Sequence, residues 1–151
     1  LAIFSAIFLG TASTAIFHEW SHLIGAKLGG ATYTIPRKLG VFIFEWNFAK
    51  NSITQFYIMS VAGSVGGLLT IFLLNGMLPE FSMKYNKTVL ASAFSAFVLG
   101  AVIEWPVLFR TFSSKNPYAE LEKTTPKILI ASLVIAIFSG IVAFQVVELF
   151  A

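Results

Sequence analysis

The pentapeptide His18-Glu19-Trp20-Ser21-His22 holds both histidines of this 151-residue chain. Positions four apart on a helix share a face, one turn above each other, so the two imidazoles can aim at one point. Glu19 projects from the neighbouring position. H-E-x-x-H on a helix is the spacing in which two histidines hold zinc while the glutamate acts as general base toward water bound there. Zinc suits hydrolysis because it brings the pKa of a bound water near 7 and polarises a carbonyl.

A catalytic zinc takes three protein ligands and leaves one position open. The chain contains no Cys, no further His and no Asp, so all seven of its acids are glutamates. Glu104, in "GAVIEWPVLF", lies deep within a second apolar stretch and is the first candidate for the third ligand. Pro106 removes a backbone hydrogen bond nearby and can turn Glu104 inward. The bland alternative is that Glu104 pairs with a lysine or accepts hydrogen bonds within a helix bundle. Glu45, in "FIFEWNF", is the fallback ligand, whereas Glu80, Glu120, Glu122 and Glu148 read as solvated charge in loops or near span ends. A polar cluster satisfied by neighbouring helices competes with the metal reading, but ionisable groups inside a span are costly and usually functional. Zinc is the expected ion, although imidazole and carboxylate ligands suit other first-row metals.

The elements that must position these residues are set by composition. The chain is 57% hydrophobic and 11% charged, and its mean hydropathy is +0.84. Soluble domains carry about 25% charged residues, so the composition points to membrane. Runs of ~20 apolar residues span a bilayer, and four are visible: Leu1 to about Leu28, Ile53 to about Leu78, Thr88 to about Phe109, and Ile128 to about Phe150. The expected fold is a single all-α polytopic domain over residues 1–151. The first run shows no basic leading region and its apolar stretch is long, so a cleaved signal peptide is not the expectation. Because the sequence opens on Leu1, the natural N-terminus is expected to differ. Without cysteine there is neither a disulfide framework nor a thiolate site.

Basic residues set the expected orientation. The first connection carries Lys27, Arg37, Lys38 and Lys50, and the third carries Arg110, Lys115, Lys123 and Lys127; the second carries only Lys84 and Lys87. Eight against two puts the first and third connections on the cytoplasmic side. The net charge of +3 thus reports topology rather than a nucleic-acid partner. His18 and His22 precede the basic end of the first span by six to ten residues, which at ~1.5 Å each puts the site roughly 10–15 Å below that surface. Hydrolysis at such depth requires a path for water.

Two features modify this plain picture. "ATYTIPRKLGVFIFEWNF" reads as two short strands around a Pro-Arg-Lys-Leu-Gly break, a hairpin at the interface. Its strand edges cannot face lipid and must pack on protein or line a wet cavity. Gly63, Gly66 and Gly67 let another helix approach the second span closely, and ordinary membrane packing accounts for them.

With these residues in place, "HEWSHLIGAKLGG" resembles the motif of the site-2 protease family of intramembrane metalloproteases. The interfacial hairpin and the "SVAGSVGGLL" stretch are similar to that family's core, and the likeness covers roughly residues 10–110. Small zincin-like membrane proteins are a looser likeness. The resemblance implies a zinc endopeptidase that cleaves transmembrane segments of membrane protein substrates, with His18 and His22 as ligands and Glu19 as catalytic base. It also implies a hairpin edge that pairs with unwound substrate. The chain departs from the family where Gly63-Ser64 replaces Gly-Pro and where no Leu-Asp-Gly ligand motif exists. That departure motivates the alternative of a non-catalytic subunit, a scaffold or assembly factor in a larger membrane complex. A metal transporter fits less well, since four spans without repeats or paired broken helices do not resemble an alternating-access design.

Overall fold

Apolar side chains run almost unbroken from the N-terminus, and helix α1 (Ala2–Leu28) takes up that whole length. The computed structural model describes residues 1–37, 43–78 and 83–149. After α1 come strand β1 (Tyr33–Thr34), strand β2 (Glu45–Trp46), and helices α2 (Ile53–Met77), α3 (Met83–Ser114), α4 (Pro117–Glu122) and α5 (Pro126–Leu149). Among the described residues, four helices are long and apolar enough to cross a membrane: Ala2–Leu28, Ile53–Met77, Tyr85–Ser114 and Pro126–Val146. The protein is an all-α, multi-pass integral membrane protein with one short hairpin after its first helix. The expectations for Lys38, Leu39, Gly40, Glu80 and the end of the fourth span at Phe150 lie outside the described residues, as do the side chains of Lys84 and Glu148.

Burial is distributed as lipid demands. Side chains such as Phe4, Phe8, Phe72, Ile130 and Phe138 are exposed, while the buried set includes Ala26, Ala93, Ala136, Thr14, Thr70, Thr111 and Ser132. Lipid rewards no apolar burial between helices, so small residues that allow close backbone approach line the seams. Gly10 fits against Val89, Ser92 and Ala93 of α3, and Gly25 fits against Ile58 and Ala62 of α2. Together with Gly66 against Phe17 and Ser21, these contacts make α2 antiparallel and α3 parallel to α1. On the far side of α3, Ser95 Oγ donates to the Ala136 carbonyl (2.8 Å) and Gly140 sits against Ala91 and Ser95, so α5 runs antiparallel to α3.

Polar residues hold the loop ends of α1 and α2 together. Ser52 and Gln55 form a capping box at the start of α2, satisfying amides that the first turn leaves without helical partners. Gln55 Nε2 also donates to the carbonyls of Gly29 (3.1 Å) and Gly30 (2.9 Å). Asn51 closes the hairpin's base, accepting from the Thr32 amide (2.6 Å) and donating to the Thr32 carbonyl (2.8 Å). The antiparallel strands pair Tyr33 with Trp46 and Thr34 with Glu45. The hairpin packs through Phe44 onto a cluster of Ala26, Phe56, Met59 and Val107, so it covers the basic end of α1, α2 and α3.

Two expectations need correction. The third span does not stop near Phe109: helix continues to Ser114, passing through Pro106, because the helix outlasts its apolar run. Glu120 is not solvated charge. Its side chain is 3% exposed, with Oε2 2.9 Å from Arg110 Nε and Oε1 2.7 Å from Lys123 Nζ. It lies in α4, a short helix capped by Asn116, whose side chain accepts from the Ala119 amide (3.1 Å).

Candidate metal centre

Because α1 and α3 run parallel in contact, the middle of α3 reaches the face of α1 that bears both histidines. Three donor atoms converge there. His18 Nε2 lies 2.8 Å from Glu104 Oε1, His22 Nε2 lies 3.2 Å from the same oxygen, and the two Nε2 atoms are 3.0 Å apart. The rings stand edge to face, with centroids 4.5 Å apart. Their side chains are 12% and 9% exposed, and that of Glu104 is 27% exposed, so the cluster is recessed yet open on the glutamate's side.

The proton count defines what this triangle can be. His22 Nδ1 is 2.9 Å from the Met59 main-chain carbonyl of α2. A carbonyl only accepts, so Nδ1 carries the hydrogen and a neutral His22 turns a lone pair toward His18 and Glu104. One hydrogen on His18 Nε2 can serve two edges of the triangle, toward Glu104 and toward His22. The third edge, His22 Nε2 to Glu104 Oε1, then opposes lone pair to lone pair. Glu104 Oε2 is buried with no hydrogen-bond partner. A buried acceptor without a donor costs about 1–3 kcal/mol, more when charged. The cluster therefore calls for one positive charge at its centre, which a proton on His22 Nε2 or a metal ion supplies.

His18, His22 and Glu104 form the one group of three or more potential metal ligands among the described residues. Tetrahedral zinc with bonds of ~2.0–2.1 Å keeps its donors about 3.3 Å apart, and the observed edges fall a few tenths of an ångström short of that. Two imidazoles with a carboxylate are also a donor set that catalytic zinc uses. The bond from His22 Nδ1 to a main-chain carbonyl is the outer-shell contact that orients ligating histidines. The residues fit the ion.

Glu19 is half-buried beside the triangle, close enough to interact electrostatically with His18, His22 and Glu104, and the Ile43 amide points toward its carboxylate. It is not one of the three donors. Glu45 sits on exposed β2 opposite Thr34, outside the triangle. Two features near the site have no counterpart in the sequence reading: the Met59 carbonyl, and a hydrogen bond from Trp105 Nε1 to Ser64 Oγ (2.9 Å) that joins α3 to α2 one residue from Glu104. A main-chain acceptor leaves no trace in residue type, whereas Trp105 beside Glu104 was a readable signal. No protein-family model, curated protein sequence or solved structure matches this chain.

Proposed function

We propose that the protein is an intramembrane zinc endopeptidase acting on apolar segments of other membrane proteins. The observation that carries the reading is the convergence of one ligand atom each from His18, His22 and Glu104, 2.8–3.2 Å from one another. When bound, zinc supplies a Lewis acid that acidifies water and polarises a carbonyl. His18, His22 and Glu104 would hold it, and the Met59 carbonyl keeps His22 turned the right way. Glu19, adjacent to the donors but not among them, takes a proton from the attacking water and passes it to the leaving amine. The partial exposure of Glu104 gives water its access. A scissile peptide must be extended to expose its carbonyl, and the free edge of either hairpin strand offers backbone partners to such a segment. The excess of basic residues in the first and third connections favours a cytoplasmic position for the hairpin end.

Purified protein in nanodiscs is expected to hold one zinc per chain, and Glu19→Gln is expected to keep that zinc while losing cleavage of a helical membrane substrate. A Glu19→Gln variant that cuts at the wild-type rate removes Glu19 as the base. A metal-free protein isolated in a stoichiometric complex favours instead the non-catalytic subunit that the missing aspartate first suggested.

A further inference from the structure

The two histidines stand in slots left by glycine. A Cβ at Gly63 would overlap the His22 ring at Cε1, Nε2 and Nδ1 alike. On α3, a Cβ at Gly100 would lie 3.3 Å from His18 Cε1, and on α2, one turn from Gly63, a Cβ at Gly67 would lie 3.5 Å from His18 Nδ1. From sequence, Gly63 and Gly67 read as ordinary packing residues; in the structure they face the donor atoms' own rings.

We infer that Gly63 and Gly100 are positioning residues, the first fixing which nitrogen of His22 faces the site and the second fixing the His18 ring opposite it. To reach the Met59 carbonyl, the His22 ring must lie against the backbone of α2. The regular ladder of that helix directs the Gly63 amide at the same carbonyl, so the ring and the backbone at 63 share one small space. Any Cβ there lifts the ring off the carbonyl. His22 then loses the acceptor that keeps its hydrogen on Nδ1, and Nε2 is no longer held as a lone pair facing Glu104. Gly100 acts more gently, because a methyl group at 3.3 Å displaces a ring by tenths of an ångström rather than expelling it. The consequence for metal binding rests on the proposed zinc site. The consequence for the His22 tautomer does not.

The chain has only two histidines, so nitrogen-15 histidine spectra of the metal-free, full-length protein in nanodiscs contain two ring systems. At mildly alkaline pH, wild type is expected to show one neutral ring with its hydrogen on Nδ1, and Gly63→Ala is expected to lose that pattern. Gly140→Ala is the control for packing damage: its Cβ would lie 2.9 Å from Ser95 Cβ and 3.3 Å from the Ala91 carbonyl, on the side of α3 away from the site, and the pattern should survive. In a cobalt titration, Gly63→Ala should weaken binding by about 10–100-fold, the usual loss when an outer-shell partner of a ligand is removed. Gly100→Ala, which meets no hard overlap, should fold, move only the His18 signals, and weaken cobalt by about tenfold or less. Retention of the Nδ1–H pattern in Gly63→Ala overturns the inference. So does an unmoved His18 in Gly100→Ala, which decides the matter if Gly63→Ala does not fold. Wild type that binds no cobalt sinks the metal reading, while the tautomer comparison still judges the glycines.

Discussion

Replacing Glu104 by Gln should change stability in opposite directions with and without metal. In the metal-free protein the substitution keeps shape but converts an acceptor into a group that can also donate. The amide oxygen keeps the position that accepts from His18 and faces His22 Nε2, so the opposed lone pairs remain but no longer carry a full charge. The buried, partnerless Oε2 ceases to be part of a charged group. The His18 bond at 2.8 Å is weakened by losing its charged acceptor, a loss of about 1 kcal/mol. Relief of the unpaired buried charge, about 1–3 kcal/mol, works against that loss. Metal-free Glu104→Gln should therefore be more stable than wild type, by up to about 2 kcal/mol, or a rise in Tm of up to roughly 8 °C for a chain of this size. With metal the order reverses. A free metal concentration 1,000 times Kd stabilises by about 4.1 kcal/mol. Loss of a direct ligand should cost at least the upper end of an outer-shell loss, about 100-fold, which leaves about 1.4 kcal/mol of that gain. Thermal unfolding in nanodiscs, with chelator and with zinc, reads both effects. Equal metal-induced shifts in the two proteins remove Glu104 from the ligand set. A variant less stable than wild type in chelator refutes the unpaired-charge account of the triangle.

Three further outcomes are expected. The hydrogen bond from Lys123, reinforced by Arg110 against the cost of burial, holds the Glu120 carboxyl below its ordinary range. Its contribution is complete above the usual carboxylate pKa and lost as pH falls through the lowered folded value, so amide exchange in α4 should rise only in acid, and equal exchange across the carboxylate range argues against the clamp. Trp105→Phe removes the indole donor to Ser64 Oγ and should destabilise by about 0.5–1.5 kcal/mol with zinc stoichiometry unchanged; a loss of zinc would give Trp105 a place in the site. Asn51→Ala removes both bonds to Thr32 and should loosen the hairpin's base, read as faster amide exchange at Thr32, where unchanged protection would show the strands hold without it.

The spans were legible because a bilayer admits few solutions. Long apolar runs with polar connections leave little but helices, and lengths near 20 residues recur for that reason. The pentapeptide was legible because four-residue spacing is already a statement about one helix face, and Glu104 because it is an acid deep within another span. The boundary of α3 was not, since hydropathy marks where lipid contact ends while the helix runs on to Ser114. Helix α4 is signalled in the sequence by Asn116 at the N-cap and Pro117 in the first turn, both favoured where helices begin. The buried state of Glu120 was out of reach, because its partner Arg110 comes from another helix and only the folded chain places them 2.9 Å apart.

The division of labour among the helices follows from where polarity is concentrated. The ligand triangle uses side chains of α1 and α3 and a carbonyl of α2, and each pair of those helices meets through small residues. Helix α5 gives the triangle nothing and packs chiefly on the far face of α3, through Ser95, Ala136 and Gly140. Its contact surface is small and weakly polar, as expected for association within lipid, where close packing substitutes for the hydrophobic effect. A bundle held that way has little apolar driving force to keep α1 and α3 in register. What holds the register beside the site is specific: Gly10 seated on α3 at one end, and at the other the hairpin cluster of Ala26, Phe56, Met59 and Val107, which joins all three helices. Met59 serves in both places, with its side chain in that cluster and its carbonyl on His22. Damage to the hairpin packing should thus reach the His22 tautomer through α2, without altering any residue that holds the ion.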